Sequence, residues 1–149
     1  KFIPGTIGSL ATIITLYYLF HVLNLSTNLV LAILIIIFIY SFYAISKHIE
    51  NNKDKDPGEI VIDEFLGQSI PIYLYEVFHG MGKTGNDVII YYLLFFILFR
   101  YFDIMKPYPV SFFDKNFKNS FGVIMDDICA GFYVVLTLVC FIIIKNYVL

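Results

Sequence analysis

Carboxylates embedded in stretches otherwise suited to lipid constrain this chain more than any other feature. Residues 30–39 read VLAILIIIFI and residues 132–144 read FYVVLTLVCFIII. Runs this apolar suit hydrocarbon, not the solvated face of a helix. The charged fraction is 15%, against roughly one quarter in ordinary soluble domains. Five segments stand out, at 7–23, 29–46, 60–78, 88–105 and 122–145, each about long enough to cross a bilayer. The expected fold is all-α, a polytopic membrane helix bundle of about five hydrophobic segments in one domain, 1–149. The third segment holds Asp63, Glu64, Gln68 and Pro71, so for it a partial dip competes with full crossing.

Basic residues orient the bundle, because short cytoplasmic loops collect Lys and Arg. With five crossings, Lys1, Lys47, Lys53, Lys55, Arg100, Lys106, Lys115 and Lys118 fall on one side, and Lys83 and Lys145 on the other. Removing the third crossing weakens the split from eight against two to six against four. The sequence therefore predicts a cytoplasmic N-terminus, cytoplasmic links at 47–59 and 106–121, and an external link at 79–87. A net charge of −2 without a basic stripe argues against nucleic-acid partners. Cys129 and Cys140 share one apolar run, which disfavours a disulfide framework or a zinc site. Residues 1–9 form a Pro/Gly segment, not a cleavable signal.

In this orientation the embedded acids share one depth. Asp63 and Glu64 open the third segment, Asp103 closes the fourth, and Asp126 and Asp127 open the fifth. A carboxylate at the centre of a membrane helix costs roughly 2.5–3.5 kcal/mol on insertion scales, and less near the interface. Five at one level repel each other unless a cation balances them. Mg²⁺ takes oxygen ligands from carboxylates, water and phosphate. Asp63 shares a helix face with Gly67, and Asp127 with Gly131. Small residues let membrane helices approach closely, which would bring the two doublets together.

Candidate phosphate-binding residues lie beside the acids. Arg100 is three residues before Asp103, and Lys106 precedes the helix-ending Pro107. Thr6 and Ser9, in Pro4-Gly-Thr-Ile-Gly-Ser9, open the first segment, where helix-start N–H groups can face an anion. Plainer readings compete. Interfacial acids can reach water, Arg100 can simply neutralise Asp103, Lys106 can snorkel, and Thr6 or Ser9 can cap a helix. His21, His48 and His79 lack metal-ligand spacing, and Gly80, Gly82 and Gly85 do not form a P-loop.

Four blocks in order resemble the phosphatidylglycerophosphatase A family. They are Pro4-Gly-Thr-Ile-Gly-Ser-Leu10, Asp56-Pro-Gly-Glu-Ile-Val-Ile-Asp-Glu-Phe-Leu-Gly67, Phe99-Arg-Tyr-Phe-Asp-Ile-Met-Lys-Pro-Tyr-Pro109 with Asp114, and Gly122-Val-Ile-Met-Asp-Asp-Ile-Cys-Ala-Gly131. The chain departs from the family at Asn119-Ser120, where a Gly-Gly pair is usual. The resemblance implies Mg²⁺-dependent hydrolysis of phosphatidylglycerophosphate to phosphatidylglycerol and phosphate, a step in bacterial phospholipid synthesis, and the basic split puts the site at the cytoplasmic face of the inner membrane. Catalysis and the binding of one or two Mg²⁺ ions are expected of residues among Asp63, Glu64, Asp103, Asp126 and Asp127. The residues alone reach only an acidic, cation-binding, phosphate-compatible site. A small cation transporter is the alternative, and the almost wholly apolar far halves of the segments, such as 132–144, count against it.

Overall fold

Apolar side chains recur all round the long segments, so each satisfies its backbone internally as an α-helix. In a computed structural model of the chain, residues 2–51, 60–79 and 86–148 are described. They form α1 (Phe2–Tyr17, running into a π-helical turn at Tyr18–Val22), α2 (Thr27–Asn51), α3 (Ile62–His79), α4 (Asn86–Met105), α5 (Val110–Asn116) and α6 (Ser120–Val148). There is no strand among the described residues. Residues 52–59 and 80–85 lie outside them, and with these most of the second link, the start of the second family block, and Gly80, Gly82 and Gly85.

Contacts between the ends fix the helix directions. The start of α1 meets the start of α3 and the end of α4, where the Gly5 backbone abuts Glu64 and Arg100. The far end of α1 meets the far end of α3 and the start of α4, through His21, Glu76 and Tyr92. Gly67 and Gly131 pair α3 with α6 in the same direction. The late part of α2 joins the start of α6 through Ser46 and Ser120, 2.9 Å apart. Thus α1, α3 and α6 run away from the acidic end, and α2 and α4 run toward it.

Four helices, α1, α2, α4 and α6, are long and apolar enough to cross a membrane. The chain is therefore read as a membrane protein. The central helix, α3, does not meet that measure, and packing explains why. It contacts α1, α2, α4 and α6, and its large apolar residues are covered except Val77 and Phe78 at the far end. Enclosed by four greasy helices, α3 has little lipid to face and can carry polar residues inward. Its composition, ambiguous as a sequence, is that of a sheathed axis.

Two expectations are corrected. The first helix starts at Phe2, well before residue 7, because Pro4 fits a first helical turn. Thr6 and Ser9 therefore lie inside α1 and not at its start, and Ser9 donates its hydroxyl proton to Gly5 O at 3.0 Å. The 106–121 link also contains a helix. Proline at 107 and 109 stops α4, Lys106 takes a left-handed conformation at φ 45°, and α5 then packs Val110 inward against α6.

Candidate active site

Close approach of α3 and α6 builds the site. A Cβ at Gly67 would overlap the Asp127 carbonyl, and a Cβ at Gly131 would overlap the Gly67 carbonyl. With only hydrogens there, the two backbones touch, and the acids one turn earlier converge. One oxygen from each of Asp63, Glu64 and Asp127 lies within 4.8 Å of the other two. Asp63 and Asp127 are buried and Glu64 is half-buried. The Asp126, Asp103 and Asp63 charges all bear on Asp127 as well.

Each remaining sequence candidate has a place. Arg100 Nη1 lies 2.8 Å from Asp103 Oδ2, but it lacks hydrogen-bond alignment and has no other partner, as does Glu64 Oε2. Lys106 bridges Asp126 at 2.9 Å and Asp114 at 2.7 Å. Burial opposes the Lys106 charge, but the Asp126 and Asp114 carboxylates outweigh it and raise its pKa above the ordinary lysine range. Lys106 is therefore a fixed cation tying α4 and α5 to the acidic end of α6. Asp114, quoted in the family block but absent from the expected ligand set, is its second anchor.

The donor set fits a hard divalent cation. Three carboxylates, no sulfur and no imidazole match Mg²⁺ better than softer metals. The three oxygens lie close enough together that Asp63, Glu64 and Asp127 would be the residues to hold such an ion. Glu64 Oε2 and Arg100 Nη1 are both buried without an aligned hydrogen-bond partner. Gly5 faces both, and any Cβ there would collide with Glu64 and Arg100. The absence of a side chain at Gly5 lets Glu64 and Arg100 pack against the α1 backbone.

A second polar cluster went unread in the sequence. Glu76, 2% exposed, accepts a 2.9 Å bond from Tyr92 OH and lies 3.2 Å from His21 Nε2. Gln68, one turn beyond Glu64 and so nearer the acidic end, is 0% exposed and makes no hydrogen bond with either amide atom. The far half of the bundle is thus less apolar than residues 132–144 suggest, and the argument drawn from it against transport does not hold. A lone acid 55 residues from its histidine partner leaves no local pattern to read.

Comparison with known proteins bears on the choice. The profile of the family described as Phosphatidylglycerophosphatase A matches residues 1–142. A Haemophilus influenzae protein named Phosphatidylglycerophosphatase A is 35% identical over 133 residues, 89% of this chain and 75% of that protein. An Escherichia coli protein of the same name is 33% identical over 129 residues, 87% of this chain and 68% of that protein. A Bacteroides thetaiotaomicron protein, 34% identical over 89% of this chain and 79% of its own length, is named as a candidate phosphatidylinositol-3-phosphatase. No solved structure matches the chain.

Proposed function

The chain belongs to the phosphatidylglycerophosphatase A family, and on that premise we propose that it hydrolyses the terminal phosphate monoester of phosphatidylglycerophosphate, giving phosphatidylglycerol and phosphate. The observation that carries the reading is the meeting of Asp63, Glu64 and Asp127 beside Arg100, at one end of a membrane bundle. Family membership, with this geometry, favours hydrolysis over transport.

In this reading Asp63, Glu64 and Asp127 hold Mg²⁺. When bound, such an ion would supply charge neutralisation on phosphate and acidify a water. Arg100 releases its poorly aligned contact with Asp103 and grips two equatorial phosphate oxygens. Freed in turn, Asp103 is placed to receive a proton. Lys106 pairs with Asp126 and adds positive charge at the mouth. The eight-to-two basic split supports a cytoplasmic mouth in the bacterial inner membrane.

One experiment addresses metal and orientation together. In sealed inverted membrane vesicles, impermeant EDTA should abolish phosphate release and Mg²⁺ should restore it. In spheroplasts the same chelator, outside, should leave turnover of internally made substrate intact. Undiminished hydrolysis in stripped inverted vesicles would exclude the metal reading. Loss in spheroplasts alone would reverse the orientation.

A further inference from the structure

A lipid phosphatase must bring a headgroup to its acids while the acyl chains stay in hydrocarbon. On the face of α3 away from Arg100 lies a lateral groove with a volume of about 280 Å³, walled by α2, α3 and α6 and lined almost wholly by apolar atoms. Leu66, Ile70 and Leu74 form its α3 wall. They follow Asp63 at i+3, i+7 and i+11, so the groove continues the stripe on which Asp63 stands. Leu66 to Leu74 is eight residues, about 12 Å of helix. On α6 the wall starts at Ile128, next to Asp127. Both helices that carry the carboxylate trio therefore carry the groove directly onward from it. On α2, Ile35 lines the groove at its open side and is 49% exposed.

We propose that this groove holds one acyl chain of the phospholipid substrate, entering sideways between α2 and α6, with the phosphate drawn to the Asp63–Asp127 end. The proposal rests on the phosphatase reading above and adds a substrate subsite to it. Continuity with the acidic site decides the occupant. A lipid whose phosphate reaches Asp63 has its chain beginning where Leu66 and Ile128 begin. Lipid tails are as apolar as leucine, so the groove gains little hydrophobic energy over the bilayer. It acts by orientation, fixing where the headgroup sits relative to the acids.

The test compares two substrates and two variants. Ile35→Trp fills the groove from α2 without altering α3 or α6. Ile36→Trp adds the same bulk to the neighbouring lipid-facing position, which is 65% exposed and does not line the groove. Ile35→Trp should lower kcat/KM for dipalmitoyl phosphatidylglycerophosphate at least tenfold more than for the dibutyryl form. Ile36→Trp should match wild type on both. Equal loss on both substrates, or equal behaviour of the two variants, overturns the proposal. A second readout does not depend on the variants. A substrate with a diazirine in its acyl chain should label residues 31–38 and 66–74 of the wild-type protein. Equal labelling by a diazirine phosphatidylcholine would assign the groove to bulk lipid and also overturn it. If wild type hydrolyses neither chain length, it is the phosphatase reading that fails.

Discussion

Asp127→Asn should lower the rate of phosphate release by about three orders of magnitude, equivalent to roughly 4 kcal/mol of transition-state stabilisation. Asp127 is 4% exposed and contributes one of three converging oxygens. Asparagine keeps the shape, but its amide lacks the negative charge a hard cation needs. Asp63→Asn should behave alike, and at least one substitution in each doublet should be severe. Stability supplies a check that simple misfolding does not mimic. Without metal, Asp63, Glu64 and Asp127 repel each other, so in EDTA the Asp127→Asn protein should melt above wild type. Asp87→Asn, at the exposed start of α4, should leave the rate near wild type. Rates within twofold of wild type for changes at both Asp126 and Asp127 would remove the last family block from the site.

Gly67→Ala should be nearly as damaging, although it adds a single methyl. The new Cβ meets the Asp127 carbonyl and a ring carbon of Phe99, and backbone cannot swing aside as a flexible side chain can. Overpacking of this kind costs about 1–3 kcal/mol. Relief comes from sliding α6 off α3, which draws Asp127 away from Asp63 and Glu64. A displacement near 1 Å is worth about a hundredfold in rate. The expected result is protein that inserts, melts earlier, and loses activity about a hundredfold at saturating Mg²⁺. Wild-type melting and turnover in Gly67→Ala would mean that the helix contact does not set the site.

What the sequence disclosed and what it hid follow from the range of the signals. Apolar runs and the spacing of Asp63 to Gly67 and Asp127 to Gly131 are local, and the helices and their meeting were legible from them. The ion pair of Arg100 with Asp103 is also local, at i, i+3. Lys106 is legible as a cation, but its partners Asp114 and Asp126 are not, since nothing local in residues 106–121 marks α5 as a helix. Glu76 was hidden for the same reason. Its partners come from α1 and α4, and only the assembled bundle brings them together. The separation of Asp63, Glu64 and Asp127 from the two paired acids Asp103 and Asp126 likewise exists only in three dimensions.

The sheathed position of α3 has a consequence for how the protein is made. A helix holding Asp63, Glu64, Gln68 and Glu76 has little tendency to leave the translocon for lipid by itself. It becomes acceptable to the bilayer only when neighbours cover its polar side, and α6, with which it packs most extensively, is synthesised last. On the five-crossing topology, insertion should therefore not proceed strictly in chain order. A nascent chain ending before α6 should keep α3 at the cytoplasmic surface, and α3 should cross only once α6 has emerged. Cysteine accessibility at residue 83 measures this on the proposed orientation, reached from the cytoplasm in a truncation at residue 118 and from outside in the full chain. External labelling already present in the truncation would show that α3 crosses unaided. Otherwise the chain acquires its topology and its acidic centre in the same late step, so a half-made copy carries no assembled carboxylate trio.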